Sequence, residues 1–160
     1  MRIASLSAAV LITAVLACAL AAHAGQRFTD NGDGTVTDTA TGLMWAAQDN
    51  QGDINWNDGL RWARYTFPDT IGTQYDDWRL PTVEELRTLW SEEEWYSGYE
   101  TACGQRVRIV RDIELSCGWV WAAGTKSITA KLFNFQRGHS YTDRKSKSRG
   151  YRVLPVRDAR

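Results

Sequence analysis

Histidine is almost missing from this chain, and much of what the protein is not follows from that. There are two, His23 and His139, and the first falls in an N-terminal segment that reads as removable. One remaining imidazole cannot build a two-histidine metal site, and it makes a poor base for a Ser-His-Asp arrangement. Cysteine is nearly as scarce, with Cys18, Cys103 and Cys117 alone, whereas a zinc site needs about four ligands. No metal and no cofactor are therefore expected. Low-complexity linkers and internal repeats are also lacking, so one continuous domain is expected. Net charge is absent too, with 19 basic and 19 acidic residues, but that balance hides an asymmetry.

Residues 1–24 do not read as part of a fold. Arg2 supplies a positive start, the run from Ile3 to Leu20 is apolar apart from Ser and Thr, and Ala22-His23-Ala24 gives the small-x-small pattern of a signal-peptidase site. A membrane anchor would want an apolar run of about 20 residues, and this run is marginally shorter and ends in a cleavage pattern. Val15-Leu16-Ala17-Cys18 loosely resembles a lipobox, with bulky Leu16 against it, which leaves lipoprotein processing at Cys18 as an alternative. Cleavage after Ala24 would leave residues 25–160 as a periplasmic or secreted domain with no membrane span. Cys103 and Cys117 are then the two thiols left, and in an exported protein two cysteines most simply pair.

From Gly25 to Glu100 there are 5 Lys and Arg against 15 Asp and Glu, and from Thr101 to Arg160 there are 13 against 4. Two outcomes are open. The halves can face one another as solvated ion pairs, or the second half can present a basic face to an anionic partner.

The opening stretch FTDNGDGTVTDTATGLMW packs Asp30, Asn31, Asp33 and Asp38 among glycines, as a calcium loop would. An EF-hand register beginning at Asp30 would want oxygen ligands at its third and fifth positions and Glu at its twelfth. Those positions hold Gly32, Gly34 and Thr41, so the stretch reads as a meander of tight turns between short strands. NWNDGLRWARYT, residues 55–66, has a helical pattern that Asn55 or Asn57 can cap, with Leu60, Ala63 and Phe67 at helical spacing and Pro68 at its end. In DDWRLPTVEELRTLW, Thr82 and Glu85 form a capping box that opens a second helix with Leu86, Leu89 and Trp90 inward. After Glu100, residues 107–110, 118–122, 131–136 and 151–156 have strand composition. RGHSYTDRKSKSRG, residues 137–150, has no apolar period and reads as a polar loop. Two helices followed by strands, with a strand pair at the start, give an α+β domain. The eight tryptophans read mostly as core, Trp78, Trp119 and Trp121 above all.

Taken in order, TDNGDGTVTDTATGLMW, NWNDGLRWA, DDWRLPTVEEL, GWVWAAG and YRVLPVR resemble the Lcl C-terminal domain family over essentially all of residues 25–160. That resemblance implies a C-type-lectin-like fold with two helices and short antiparallel strands, found in exported bacterial proteins that are often adhesins. The adhesin naming the family binds sulfated polysaccharides, and no catalytic set is carried with it. Its characteristic Trp78, Arg79, Leu80 and Pro81 look structural, with Leu80 and Pro81 entering the helix from the core side and Arg79 bonding a carboxylate or carbonyl. The chain departs from the pattern at Leu154-Pro155, where relatives often carry a cysteine, which makes Cys103 and Cys117 a local staple. Trp56-Asn57-Asp58 spells a tripeptide of calcium-dependent lectins, but here it opens a helix and lacks the proline triplet that partners it.

The expected function is an exported binding module, not an enzyme, that takes an anionic or sulfated polysaccharide on a basic loop. Arg137, His139, Arg144, Lys145, Lys147 and Arg149 are the candidate ligand-binding residues, with Ser140, Tyr141, Ser146 and Ser148 as hydrogen-bond partners. The bland alternative is a solvated loop. A second reading is a protein-interaction or envelope-assembly module that meets another exported protein through exposed tryptophans. An enzymatic reading would draw a carboxylate pair from Glu84, Glu85, Glu92, Glu93 and Glu94. No nucleic-acid partner is expected, since no such motif is present.

Overall fold

In the computed structural model, described for residues 26–72 and 74–160, the Asp/Asn/Gly-rich opening folds as the turns its composition predicts. The N-terminal segment assigned to a signal peptide, with Cys18, lies outside the described residues. Strands β1 (Phe28–Asp30), β2 (Thr35–Asp38) and β3 (Leu43–Ala46) form an antiparallel meander. The carboxylates of its turns are aimed at the chain's own donors. Asp30 accepts from the Gly32 N–H at 2.9 Å, and Asp33 accepts from the Thr35 N–H at 3.0 Å. Asp38 accepts a two-bond fork from Arg27 at 2.9 and 2.7 Å.

Helix α1 (Trp56–Arg61) starts at Asn55, whose side chain accepts from the Asp58 N–H. It continues as a widened, π-type turn over residues 62–66 and a 3-10 turn over 67–70. Pro68 explains the widening. It has no N–H to donate, and its ring would crowd a carbonyl four residues back, so the Phe67 N–H bonds to the Trp62 carbonyl instead. Of the residues at helical spacing, Ala63 and Phe67 are buried but Leu60 is exposed, and Gly59 is buried beside it. Gly59 is dictated by approach, because a Cβ there would lie 2.5 Å from Val153 Cγ2.

Helix α2 (Val83–Leu89) carries the full capping box between Thr82 and Glu85, and it buries Val83, Leu86 and Leu89. Trp78, Leu80 and Pro81 are buried as the chain enters it. Arg79 forks onto Glu85 at 2.9 and 2.7 Å, so the same carboxylate closes the cap and pairs the arginine.

A short pair, β4 (Tyr99–Glu100) with β5 (Arg106–Val107), precedes the second sheet. The Cys103–Cys117 disulfide closes beside it with a Cα–Cα distance of 5.3 Å. The second sheet contains β6 (Trp119–Lys126), β7 (Thr129–Asn134), β8 (His139–Arg144) and β9 (Tyr151–Arg152) in the order β8-β7-β6-β9. Its β6–β9 pair is parallel, unlike the antiparallel strands expected. The stretch expected as a polar loop is therefore half strand. Finally β10 (Val156–Asp158) returns to pair with β3 and complete the first sheet in the order β1-β2-β3-β10.

One apolar cluster lies around the first sheet, α2 and one face of the second sheet, with Trp45, Trp78, Leu86, Phe133 and Val156 in it. A smaller one, Ala63, Leu80, Trp121, Leu132 and Val153, fills the space between α1 and the opposite face. That second cluster matters for the site, because its outer margin is aromatic and partly open.

Burial alone would push the Glu85 carboxyl up, but the Arg79 fork and the Thr82 N–H hold it below the usual range. The resulting stability is present above the unfolded carboxylate pKa of about 4 and is lost as the pH falls through the lower folded value. Glu85→Gln is expected to lose about 1–3 kcal/mol at neutral pH. Urea unfolding should show that deficit shrinking as both proteins are taken below about pH 4.

Candidate aromatic and basic face

The six basic residues singled out by sequence do not form one loop patch. His139 and Arg144 begin and end β8, which lies at the sheet edge beside β7 in an unbroken antiparallel register. Side chains alternate along a strand. His139, Tyr141 and Asp143 therefore project on one face, opposite Asn134, Leu132 and Ala130 of β7, while Ser140, Thr142 and Arg144 project on the other. Arg137 sits in the turn before β8, where the Asn134 side chain accepts from the Gln136 and Arg137 N–H groups at 2.7 and 3.2 Å. Gly138 closes that turn at φ 68°, and a Cβ there would meet the Trp90 ring at 2.7 Å. Lys145, Lys147 and Arg149 follow β8, with the Lys147 N–H bonded to the Arg144 carbonyl at 3.0 Å. All six are exposed or half-buried, and among the described residues none takes part in an ion pair within 4.0 Å.

The face shared by His139 and Tyr141 is aromatic. Trp119 packs edge-on to Tyr141 with centroids 4.9 Å apart and reaches Tyr151 at 6.2 Å. Tyr151 in turn packs on Trp121 at 4.9 Å. Trp121 is fully buried and donates its indole N–H to the Ile54 carbonyl at 2.9 Å. Trp119, expected in the core, is only half-buried, because β6 ends its cover at that position and the neighbours across the strands are Asn134 and Tyr151. Tyr141 is 38% exposed.

Lys145 marks the far end of this face, its ammonium 4.8 Å over the Trp56 ring. Trp56 is fixed from both sides. Its indole N–H donates to the Ala122 carbonyl at 2.8 Å, and its backbone N–H donates to the Lys145 carbonyl at 3.1 Å. Trp56 thus works as a platform for a cation, apart from the spelling Trp56-Asn57-Asp58 that drew notice in the sequence.

Asp143 organises the middle. Tyr151 donates its hydroxyl to Asp143 at 2.6 Å and the Arg144 N–H donates at 2.7 Å. The Tyr151 hydroxyl leads in holding the Asp143 carboxyl below its ordinary range. Burial, then the adjoining carboxylate, pushes Tyr151 up to about 12. The face therefore keeps its one acid engaged internally while its cations point outward.

Trp119, Tyr151, Trp56 and Asp143 went unnamed as site residues. The available signal was the alternation in HSYTDR, aromatic and charged on one side against small and hydroxylic on the other. It lacks an apolar period because an edge strand with both faces partly wet needs none.

The arrangement is an open face, not a pocket. Clefts among the described residues lie elsewhere, among them one of about 450 Å³ beside Asp49, Trp62 and Phe67, one of about 470 Å³ beside Trp95 and Tyr96, and one of about 620 Å³ beside Tyr65 and Tyr75. Of the carboxylates considered for catalysis, Glu85 is taken by Arg79 and Thr82. A family model described as the Lcl C-terminal domain matches residues 34–157. No curated protein matches the chain.

A near-ultraviolet phenolate titration should show two late transitions, those of Tyr151 and Tyr99, both pushed up to about 12. Asp143→Asn should lower one of these two transitions and leave the other in place.

Proposed function

The chain belongs to the Lcl C-terminal domain family, and from that premise we propose that it is an exported, non-enzymatic binding domain for an anionic polysaccharide. The surface proposed is the aromatic face of the second sheet with the cations around it. One observation carries the reading: Trp119, Tyr141 and Tyr151 make a partly open aromatic run with His139 beside it and Lys145 on Trp56 at its end. Aromatic rings offer broad apolar contact for the C–H faces of sugar rings. Sulfate or carboxylate groups along the same polymer would meet Arg137, His139, Lys145, Lys147 and Arg149, where Arg provides a planar fork and Lys a mobile point charge. Arg144 projects to the opposite face and adds to the positive field around the strand.

Export is part of the proposal. The Cys103–Cys117 disulfide suits an oxidising compartment, and no helix among the described residues is long and apolar enough to cross a membrane. The C-type-lectin-like arrangement belongs here as well. It is supported by first and last strands that share one sheet with two helices between them in sequence.

A second reading, contact with another exported protein, is favoured by a different observation. Trp95 is 68% exposed and lies next to Tyr96, with the Arg111 guanidinium 4.7 Å from its ring centre. Large exposed aromatics of this kind are typical anchors of protein interfaces.

Heparin-column chromatography separates the two. The protein is expected to be retained at low salt, and a variant with Arg144, Lys145, Lys147 and Arg149 all changed to Ser is expected to lose that retention. Passage of both at low salt would sink the polysaccharide reading in favour of the protein-contact one. N-terminal sequencing of the exported form should begin at Gly25, whereas a start at Cys18 would mark a lipoprotein.

A further inference from the structure

β8 is an edge strand that nothing in the described chain covers on its outer side in the sheet order β8-β7-β6-β9. The direction of its backbone groups can be read from one bond. The Lys145 N–H donates to the Ile128 carbonyl at 2.9 Å, in step with the pairs Arg144–Thr129 and Asp143–Ala130. Antiparallel pairing alternates residues that bond inward with residues that bond outward. Asp143, Tyr141 and His139 therefore spend their backbone groups on β7, and Ser140, Thr142 and Arg144 direct theirs outward. The Arg144 N–H is already engaged by the Asp143 side chain at 2.7 Å. Ser140 and Thr142 are left as an outward pair of donors and acceptors on an exposed strand.

We infer that this edge pairs with β8 of a second copy, antiparallel, about a two-fold axis at Tyr141. The register is selected by the residues. A two-fold axis perpendicular to the sheet keeps each face with itself, so partners must project on the same face. Centring the axis on Tyr141 sets Ser140 against Thr142 of the second copy, and the reverse, so both outward residues exchange backbone bonds. The same register sets His139 against Asp143 of the second copy on both sides of the axis. These fall at non-hydrogen-bonded positions, where opposing side chains stand closest. Asp143 keeps accepting capacity beyond its bonds from Tyr151 and the Arg144 N–H, since an ionised carboxylate has about four lone-pair sites. Arg144 then falls opposite Gly138, which presents no side chain. Arg137 and Lys145 lie beyond the paired residues, one in a turn and the other laid on Trp56. Centring on Thr142 instead would require the engaged Arg144 N–H and would place Tyr141, not His139, against Asp143.

Edges exposed in this way are commonly blunted by proline, bulges or inward charges. β8 carries no proline and its register with β7 is unbroken, and the His139 imidazole N–H can donate to the Asp143 carboxylate of a second copy. The pairing does not depend on any ligand, and it would join two aromatic faces on one side of a continuous sheet.

The purified protein, free of polysaccharide, tests this by sedimentation over a concentration series with three variants. Thr142→Pro removes an outward N–H and leaves the inward bonds to β7 in place. It should abolish the dimer while circular dichroism and thermal unfolding stay those of the parent. His139→Asp places like charges opposite each other and should weaken association at least about tenfold. Tyr141→Cys puts two thiols at the axis, where the Cα separation of about 4.5 Å in such a pair suits a disulfide. Mild oxidation should yield a covalent dimer from it and not from Ser140→Cys. A protein that stays monomeric and does not cross-link through Tyr141→Cys overturns the inference. So does a dimer that Thr142→Pro leaves intact.

Discussion

Arg157 is where the two oppositely charged halves of the chain are joined, and the rest of the architecture depends on that junction. Its side chain is 7% exposed, donates to Asp77 at 2.5 Å and stacks 3.9 Å from the Tyr75 ring. A guanidinium buried to that extent is stable only where a carboxylate and ring faces replace its water. β10 can therefore take its place beside β3 only when the segment before α2 is also in place. The same strand exchanges both backbone bonds between Val156 and Arg79 at 3.0 Å, which aligns Arg79 with Glu85 and so with the start of α2. Sheet, helix and closing strand form one cooperative unit.

Arg152 repeats the arrangement on the second sheet. It donates to Asp53 at 2.8 Å and to the Ser116 hydroxyl at 2.6 Å, and Ser116 donates in turn to Asp49. Burial pushes the Asp49 carboxyl up, against the pull of the Ser116 and Gln51 N–H groups and of Arg152. Its sign is opposite to that of Glu85. This contribution is fullest at low pH and declines as the pH rises through the raised folded value. The question left open by composition is thereby divided. Two arginines of the basic half are consumed by aspartates of the acidic half, and the cations around β8 are not.

The division also explains which features were legible in the sequence. The capping box at Thr82 and Glu85, the turns at Asn31-Gly32 and Asp33-Gly34, and the Cys103–Cys117 pair are local or forced by elimination, and they were readable. Burial of Trp78 and Trp121 followed from their surroundings. Leu60 and Trp119 misled because periodicity and composition report a tendency toward burial, while exposure is decided by which partner arrives. At position 60 the partner is Val153, which packs on Gly59 instead. β8 shows no apolar period for the converse reason, since it is held by backbone pairing with β7 and its side chains are mostly exposed. The aromatic run of Trp119, Tyr141 and Tyr151 spans three strands and has no signature in any single stretch.

In the reading proposed, this aromatic run and its flanking basic residues form the contact surface, while Arg152 and Arg157 are structural. A nuclear magnetic resonance titration with a sulfated oligosaccharide addresses it most directly. Shifts are expected to concentrate on the Trp119 and Trp56 indole N–H signals and on the backbone of residues 137–149, with the Arg152 and Arg157 side-chain signals unmoved. Shifts centred on Trp95, Tyr96 and Arg111 instead, with residues 137–149 silent, would contradict it.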